Sequence, residues 1–452
     1  MPAITLPAAL RDRLVEQVRK RLPHKSYGFL LSEGDPFNVC DFVFFESNLR
    51  TTGSWREQFE RYGPYFVEHD NAGFVATPEE AWEIQKSIWA RGLVEIGVFH
   101  SHIRHPANFS GVDFDLHTER FDNLWHLIVS MRSPDQPQVR AFSVTPTEVA
   151  ELPVVTPQTP RDGPACDAAV DLLALDTHGR RRSFDSQAIM AAVEYVLRSG
   201  NPDAIDEILR RGFLRGSEDR YLEYVAPLMA SLPGGGFTMG TPEPHAPQFM
   251  GESPPHIVEL SPFHLGRVPV TNALYSVFDP DRGPVASAES EKPAVDISWF
   301  DATLFALWMG CRLPTEAEWE YACGAGSASD WCSSDAAALP EYAWYSDNSN
   351  SQIHPVGTRL PNVFGLFDMH GNIWEWCEDV YDVDFYTAPR PPNPVRRCVG
   401  PEVQHVTRGG CMNSFAEMCR TRYRFHEADD FRAADLGFRV ARSPKGPYQW
   451  SI

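Results

Sequence analysis

The sequence predicts a multidomain protein of mixed α and β structure, and three observations lead there. At 452 residues the chain exceeds what one ordinary core organises, so two or three domains are expected. An apolar, β-prone run at 93–99 feeds directly into His100-Ser101-His102. From Gly234 onward the texture changes to short strands, many turns and dense Trp, Gly and Pro. Between these regions, 153–164 is rich in Pro with Thr, Gln and Asp, which reads as an exposed linker. Apolar residues at helical spacing (Ile189, Met190, Val193, Val196, Leu197) predict a helix over 183–197, stopped by Ser199-Gly200-Asn201-Pro202. Two further helices are expected over 204–214 and 221–232. The domains are therefore placed at 1–153, 154–228 (linker and helical spacer) and 229–452.

Bulk properties narrow the function classes. A hydrophobic content of 43% with 12% aromatic residues is that of a well-packed globular protein. The formal charge of −21, from 61 acidic against 40 basic residues, argues against non-specific binding to nucleic acid or to an anionic membrane. Nine cysteines, an odd number with no C-x-x-C pair, do not make a disulfide framework. Neither an apolar leader nor a run of roughly 18 apolar residues stands out, so a reduced cytoplasm is the expected location.

The chemistry-bearing pattern is His100-x-His102, seven residues, Ser110, two residues, Asp113. Histidines at i and i+2 share one face of a strand, because side chains alternate with period two. Asp113 can add a carboxylate oxygen from the following turn or helix. Two imidazoles, one carboxylate and an open fourth position are the donor set of a catalytic zinc. The bland alternatives are two satisfied histidines and a plain Ser-x-x-Asp helix cap. His105 and His117 lie close by in sequence, and since three protein ligands complete a catalytic set, supporting or surface roles are expected for them.

This arrangement resembles the JAMM (MPN-plus) zinc metalloproteases, which cleave isopeptide or peptide bonds next to ubiquitin-like tails. Leu22-Pro23-His24-Lys25-Ser26-Tyr27-Gly28-Phe29-Leu30-Leu31 is similar to that family's first helix running into its first strand, and Phe44-Phe45-Glu46-Ser47-Asn48 to a following strand that ends on its usual asparagine. The resemblance covers about the first 150 residues and implies the family's cytidine-deaminase-like α/β/α fold. It makes His100, His102 and Asp113 the zinc ligands and Ser110 the group that steadies the tetrahedral intermediate. One departure stands out: where the family has its general-base glutamate, this chain has Lys25. A protonated lysine cannot accept a proton. Three outcomes stay open: His24 or another group takes the base role, the site binds without hydrolysing, or Lys25 works as a neutral amine.

The region from Gly234 resembles the sulfatase-modifying-factor family, named for the formylglycine-generating enzyme. The match is carried by Gly235-Gly236-Phe237-Thr238-Met239-Gly240, Pro269-Val270-Thr271-Asn272, the run from Arg312 to Ala322, Gly371-Asn372-Ile373-Trp374-Glu375-Trp376, Arg408-Gly409-Gly410 and Gly437-Phe438-Arg439-Val440-Ala441-Arg442. It implies a compact, irregular α+β fold of the C-type-lectin kind. In those enzymes two cysteines after the Gly-Gly pair bind copper. Here the second falls on Cys419 and the first position is Ser414, a poor ligand for copper(I). Cys411 could pair with Cys419 only in a different register. The His-x3-His-x-Glu motif of iron-using relatives is not found, so neither copper nor iron is expected in this region.

By the same resemblance, Asp368 and Glu375 with the carbonyls of Gly371 and Ile373 form a calcium site, hard oxygens on a tight turn. The alternative is a structural turn with Glu375 in an internal salt bridge. Trp299, Trp319, Trp374 and Trp376 are expected in the core, and His256 is expected to support the fold.

Together the resemblances imply a zinc hydrolase acting on the C-terminal tail of a small ubiquitin-like or sulfur-carrier protein. A bacterial sulfur-transfer or natural-product pathway is the expected setting, with a thio-metabolite as a second partner. The alternatives are a retired JAMM domain serving as a binding scaffold, and an oxidase in the C-terminal domain using Cys419 with Cys411.

Overall fold

A computed structural model of the protein describes residues 3–50, 52–61, 74–118, 121, 124–155, 217–241, 251–333, 335–387, 390–396 and 403–444. They fall into two units, one of Met1–Pro160 with Glu243–Gly251 and one of Arg161–Pro242 with Glu252–Ile452. The helices expected over 183–197 and 204–214, and most of the linker, lie outside the described residues.

In the first unit, α1 (Ala8–Arg21) buries Leu10, Leu14, Val15 and Val18, a single face at helical spacing. Proline at position 23 ends the helix, since it cannot continue the hydrogen-bond ladder. Six strands form one sheet in the order β3-β2-β4-β5-β6-β7, comprising β2 (Tyr27–Ser32), β3 (Asp41–Phe44), β4 (Val94–His102), β5 (Trp125–Ser130), β6 (Gln138–Thr145) and β7 (Glu148–Leu152). Only the central pair β4–β5 runs parallel; the other pairs are antiparallel. The face under α1 carries Leu30, Phe99, Leu127 and Val129, which pack with Leu14 and Val18 into the main core. β1 (Ile4–Thr5) pairs with β8 (Val154–Val155) and ties the two ends of the unit together.

The strand expected to end on Asn48 ends at Phe44 instead. Asn48 lies in the loop beyond, where its side-chain oxygen accepts from the backbone N–H groups of Arg50 (3.1 Å) and Val75 (3.0 Å). Further helices are α2 (Gly53–Glu60), α3 (Pro78–Ala90), begun by a Thr77 cap on the Glu80 N–H, and α4 (Gly111–Thr118).

The second unit has short elements and much irregular chain. Its sheets are β9-β12-β17, β10-β11 and β15-β14-β13-β16. The strands are β9 (Met229–Leu232), β10 (Gly235–Met239), β11 (His256–Leu260), β12 (Phe263–Gly266), β13 (Trp374–Val380), β14 (Gln404–Arg408), β15 (Phe425–Ala428), β16 (Leu436–Gly437) and β17 (Ala441–Arg442). Its longer helices are α5 (Asn272–Phe278), α6 (Trp299–Trp308) and α7 (Glu316–Gly324), the last two begun by capping boxes from Ser298 and Thr315. The helix expected over 221–232 stops at Leu228. Pro227 falls in its final turn, and Met229–Leu232 is drawn into β9 by antiparallel pairing with β12. Trp299, Trp319, Trp374 and Trp376 are all buried, in the core as expected. His256 opens β11 opposite Met239, with its ring against Tyr386. Among the described residues no helix is long and apolar enough to cross a membrane.

Candidate metal centre

β4 runs between β2 and β5 and delivers His100 and His102 at its C-terminal end. Tyr27 is the antiparallel partner of His100, and Ser26 and Ser101 exchange two bonds of 2.8 Å one step further on. The ladder therefore holds the end of β4 rigidly, and period-two alternation turns both imidazoles to the same face. α4 supplies the third ligand. Its first turn is a reciprocal cap: Asp113 N–H donates to Ser110 Oγ at 3.2 Å, and Ser110 N–H donates to Asp113 Oδ2 at 3.0 Å. The Ser110 hydroxyl also donates to Oδ2, at 2.7 Å. One carboxylate oxygen is thus fixed while the other, Oδ1, lies 3.2 Å from His100 Nε2.

His100 Nε2 is 2.8 Å from His102 Nε2, and His102 Nε2 is 3.5 Å from Asp113 Oδ2. Ligand atoms about 2.0–2.1 Å from a tetrahedral zinc stand about 3.3 Å apart, and the separations here, taken to one or the other Asp113 oxygen, are of that order. Among the described residues, His100, His102 and Asp113 are the cluster of three or more donors able to hold a metal. The rest of each imidazole is engaged: His102 Nδ1 donates to the Pro106 carbonyl at 2.6 Å, which leaves Nε2 as the ligand atom, and His100 Nδ1 lies 2.6 Å from His126 Nε2. The protonation states suit a cation. Burial lowers His100 to about 4, keeping it neutral. Burial alone would raise Asp113, but His100 and the hydrogen bonds from both histidines hold it well below the usual carboxylate range.

Lys25 precedes β2 by two residues. Continuing the Tyr27–His100 and Ser26–Ser101 pairing sets it across from His102, on the ligand face. It is half-buried, and burial lowers its pKa, with Asp113 pulling it up and Arg50 pushing it down again. His24 is exposed on the same connection. Both line a cavity of about 610 Å³ with Arg21, Tyr27, Glu46 and Arg50. Ser110 is engaged first as the cap that fixes Asp113. His105 and His117, expected in supporting or surface positions, are both buried near the cluster. His126 was not singled out in the sequence. Its signal is non-local, because only the parallel β4–β5 register, pairing Val98 with His126, sets it diagonally beside His100.

In the second unit, Glu375 is fully buried and paired with Arg439 through both carboxylate oxygens, at 2.6 and 2.7 Å, and accepts from Trp319 Nε1 at 3.0 Å. The internal salt bridge, left open beside calcium, is thus present. Asp368 Oδ2 accepts from Gly357 N–H at 2.7 Å, and burial raises its pKa to about 6. The Gly371 carbonyl accepts from Ile373 N–H at 2.9 Å.

Cys411 and Cys419 are both buried. Burial, then proximity to Cys411, pushes the Cys419 thiol well above its ordinary range. Ser414 Oγ donates to Cys411 Sγ at 3.5 Å. Gly410 has a positive φ of 73°, and a Cβ there would lie 2.8 Å from Cys419 Sγ, so the Gly-Gly motif makes room for that sulfur. Sequence reasoning also missed His370, which is neutral by burial and bonds the Cys419 carbonyl at 2.8 Å.

Residues 220–444 match the sulfatase-modifying factor enzyme 1-like domain. The formylglycine-generating enzyme of Streptomyces coelicolor is 29% identical over 276 residues, spanning 46% of this chain and 87% of that enzyme. Its counterpart in Thermomonospora curvata is 29% identical over 289 residues, spanning 49% and 95%. The N-terminal region is similar in structure to a JAB1/MPN domain protein from Archaeoglobus fulgidus, at 18% identity and a TM-score of 0.21, covering 34% of this chain and all of that one. The chain thus carries an N-terminal α/β unit with a buried His-His-Asp cluster and, over residues 220–444, a region that matches the sulfatase-modifying factor enzyme 1-like domain. The geometry of His100, His102 and Asp113 stands independently of these likenesses.

Proposed function

We propose that the N-terminal unit is a zinc-dependent hydrolase that acts on the flexible C-terminal tail of a small ubiquitin-like or sulfur-carrier protein. The single observation behind this is the convergence of three buried donors, His100, His102 and Asp113, whose ligand atoms all lie within 4.8 Å of one another. A zinc ion held there supplies Lewis acidity toward a carbonyl and toward water. The chain's own residues do the rest. His102 and Asp113 are held by the Pro106 carbonyl and Ser110, so the donor atoms need no rearrangement. Lys25 adds a cationic, hydrogen-bond-donating group on the same face, suited to a carbonyl or carboxylate oxygen of the tail. The C-terminal unit would recognise the same substrate or a small thio-metabolite. Formylglycine formation is not carried over from the relatives, because Ser414 stands at one of the two copper positions and a hydroxyl is too hard for copper(I). The test is incubation of a tail-extended carrier protein with the zinc-loaded chain and with His100→Ala. Cleavage by the wild type alone supports the proposal; equal background cleavage by both removes it.

A second reading, a binding module that grips the tail without cutting it, is favoured by Lys25 itself, since an ammonium at the base position accepts no proton. It calls for a stable complex with the carrier and no turnover, even in Lys25→Glu.

A further inference from the structure

The sequence assigns no role to His126, and the metal-ligand set does not use it. Yet it is 1% exposed and hydrogen-bonded on both sides, with Nε2 2.6 Å from His100 Nδ1 and Nδ1 2.9 Å from His117 Nδ1. Three imidazoles on three elements, β4, β5 and α4, thus form one buried line. Phe109 packs against two of them, its ring centroid 5.0 Å from that of His126 and 6.2 Å from that of His117. A polar ring in such a place costs free energy unless it is bonded, so a space-filling role would be served better by leucine.

The line has only one consistent proton arrangement once the first ring binds a cation. A ligand Nε2 on His100 requires the proton on Nδ1, which then donates to His126 Nε2. His126 in turn carries its proton on Nδ1 and donates to His117 Nδ1. His126 is then a donor on one side and an acceptor on the other, a combination that neutral imidazole supplies.

We infer that His126 is a positioning residue of the metal centre: it locks His100 in the orientation and tautomer that present Nε2 to the cation, and His117 locks His126 in the same way. This inference rests on the metal-centre reading of His100, His102 and Asp113. His102 has a simpler fastening, a single backbone carbonyl, so the two ligands are held by unlike means. Partners of this kind typically change metal affinity by about 10–100-fold when removed.

The test compares the full-length wild type with His126→Leu and His126→Gln. Zinc affinity is read by competition with a chromophoric chelator, cobalt geometry by visible absorption, and stability by melting of the metal-free protein. The expected result is zinc binding weakened by about 10–100-fold in His126→Leu, with the metal-free melting temperature unchanged or higher. Glutamine restores an acceptor and should recover most of the loss. Equal zinc affinity in the wild type and His126→Leu overturns the inference while leaving the metal centre intact. A wild type that binds no zinc at all removes the metal-centre reading and the inference with it. Should the leucine variant not fold, nitrogen-15 spectra of the zinc-loaded wild type decide: a proton on His100 Nδ1 supports the assignment, and coordination through Nδ1 overturns it.

Discussion

Ser110 and Asp113 hold each other: the serine hydroxyl donates to Asp113 Oδ2 at 2.7 Å and accepts the Asp113 N–H at 3.2 Å. A helix cap and a metal ligand are therefore one structure. Ser110→Ala removes the cap, at about 1 kcal/mol of stability, and also frees the carboxylate to turn. The expected outcome is a modest fall in melting temperature together with roughly tenfold weaker zinc binding, while Ser110→Thr keeps both close to wild type. Calorimetry and chelator competition on the same samples check the pair of effects. A stability loss with unchanged zinc affinity would separate the two roles.

Lys25 decides what the centre does with a bound tail. Lys25→Glu places a carboxylate where a proton acceptor is wanted, and a general base contributes about 10²–10⁴-fold. Cleavage of a tail-extended carrier should rise in this variant if Lys25 is only a substitute for a base. A fall to background would show that the ammonium itself takes part.

How much of this was legible in the sequence follows from the range of each interaction. His100 and His102 share a face because of local alternation, and Ser110 with Asp113 is a three-residue cap, so both were readable from short windows. His126 was not, since its place beside His100 depends on a parallel pairing between β4 and β5. Helical spacing over 221–232 gave a single helix, but pairing with β12 claimed its last four residues for β9. Glu375 read first as a calcium ligand, with a salt bridge as the alternative, and only the fold brings Arg439 to it.

That buried pair is itself testable. Arg439 reaches Glu375 and also donates to the carbonyls of Gly266 and Phe367, at 3.0 Å each. Removing one partner leaves an uncompensated buried charge, a loss of about 3–5 kcal/mol. Arg439→Met should therefore unfold the C-terminal unit at markedly lower denaturant, and Arg439→Met with Glu375→Gln should recover part of the loss. Urea titration followed by tryptophan fluorescence measures both.

Asp379 gives the C-terminal unit a pH dependence. Burial, reinforced by Glu316, raises its pKa from 3.8 to about 8, although it accepts backbone N–H bonds from Glu316 (2.7 Å) and Arg396 (2.9 Å). The folded state keeps a proton that the unfolded chain releases. Its contribution is therefore full below about pH 4 and is lost as pH rises toward 8. Melting temperature should fall between about pH 4 and pH 8, and Asp379→Asn should flatten that slope even though it costs stability at every pH. An unchanged slope in the variant would assign the pH dependence elsewhere.

The most direct measurement of the central claim is a crystal structure of the zinc-soaked protein with anomalous data at the zinc edge. The account predicts one strong peak bonded to His100 Nε2, His102 Nε2 and an oxygen of Asp113, with the fourth position open to solvent. No peak among those three side chains, or a fourth protein ligand closing the site, would contradict it.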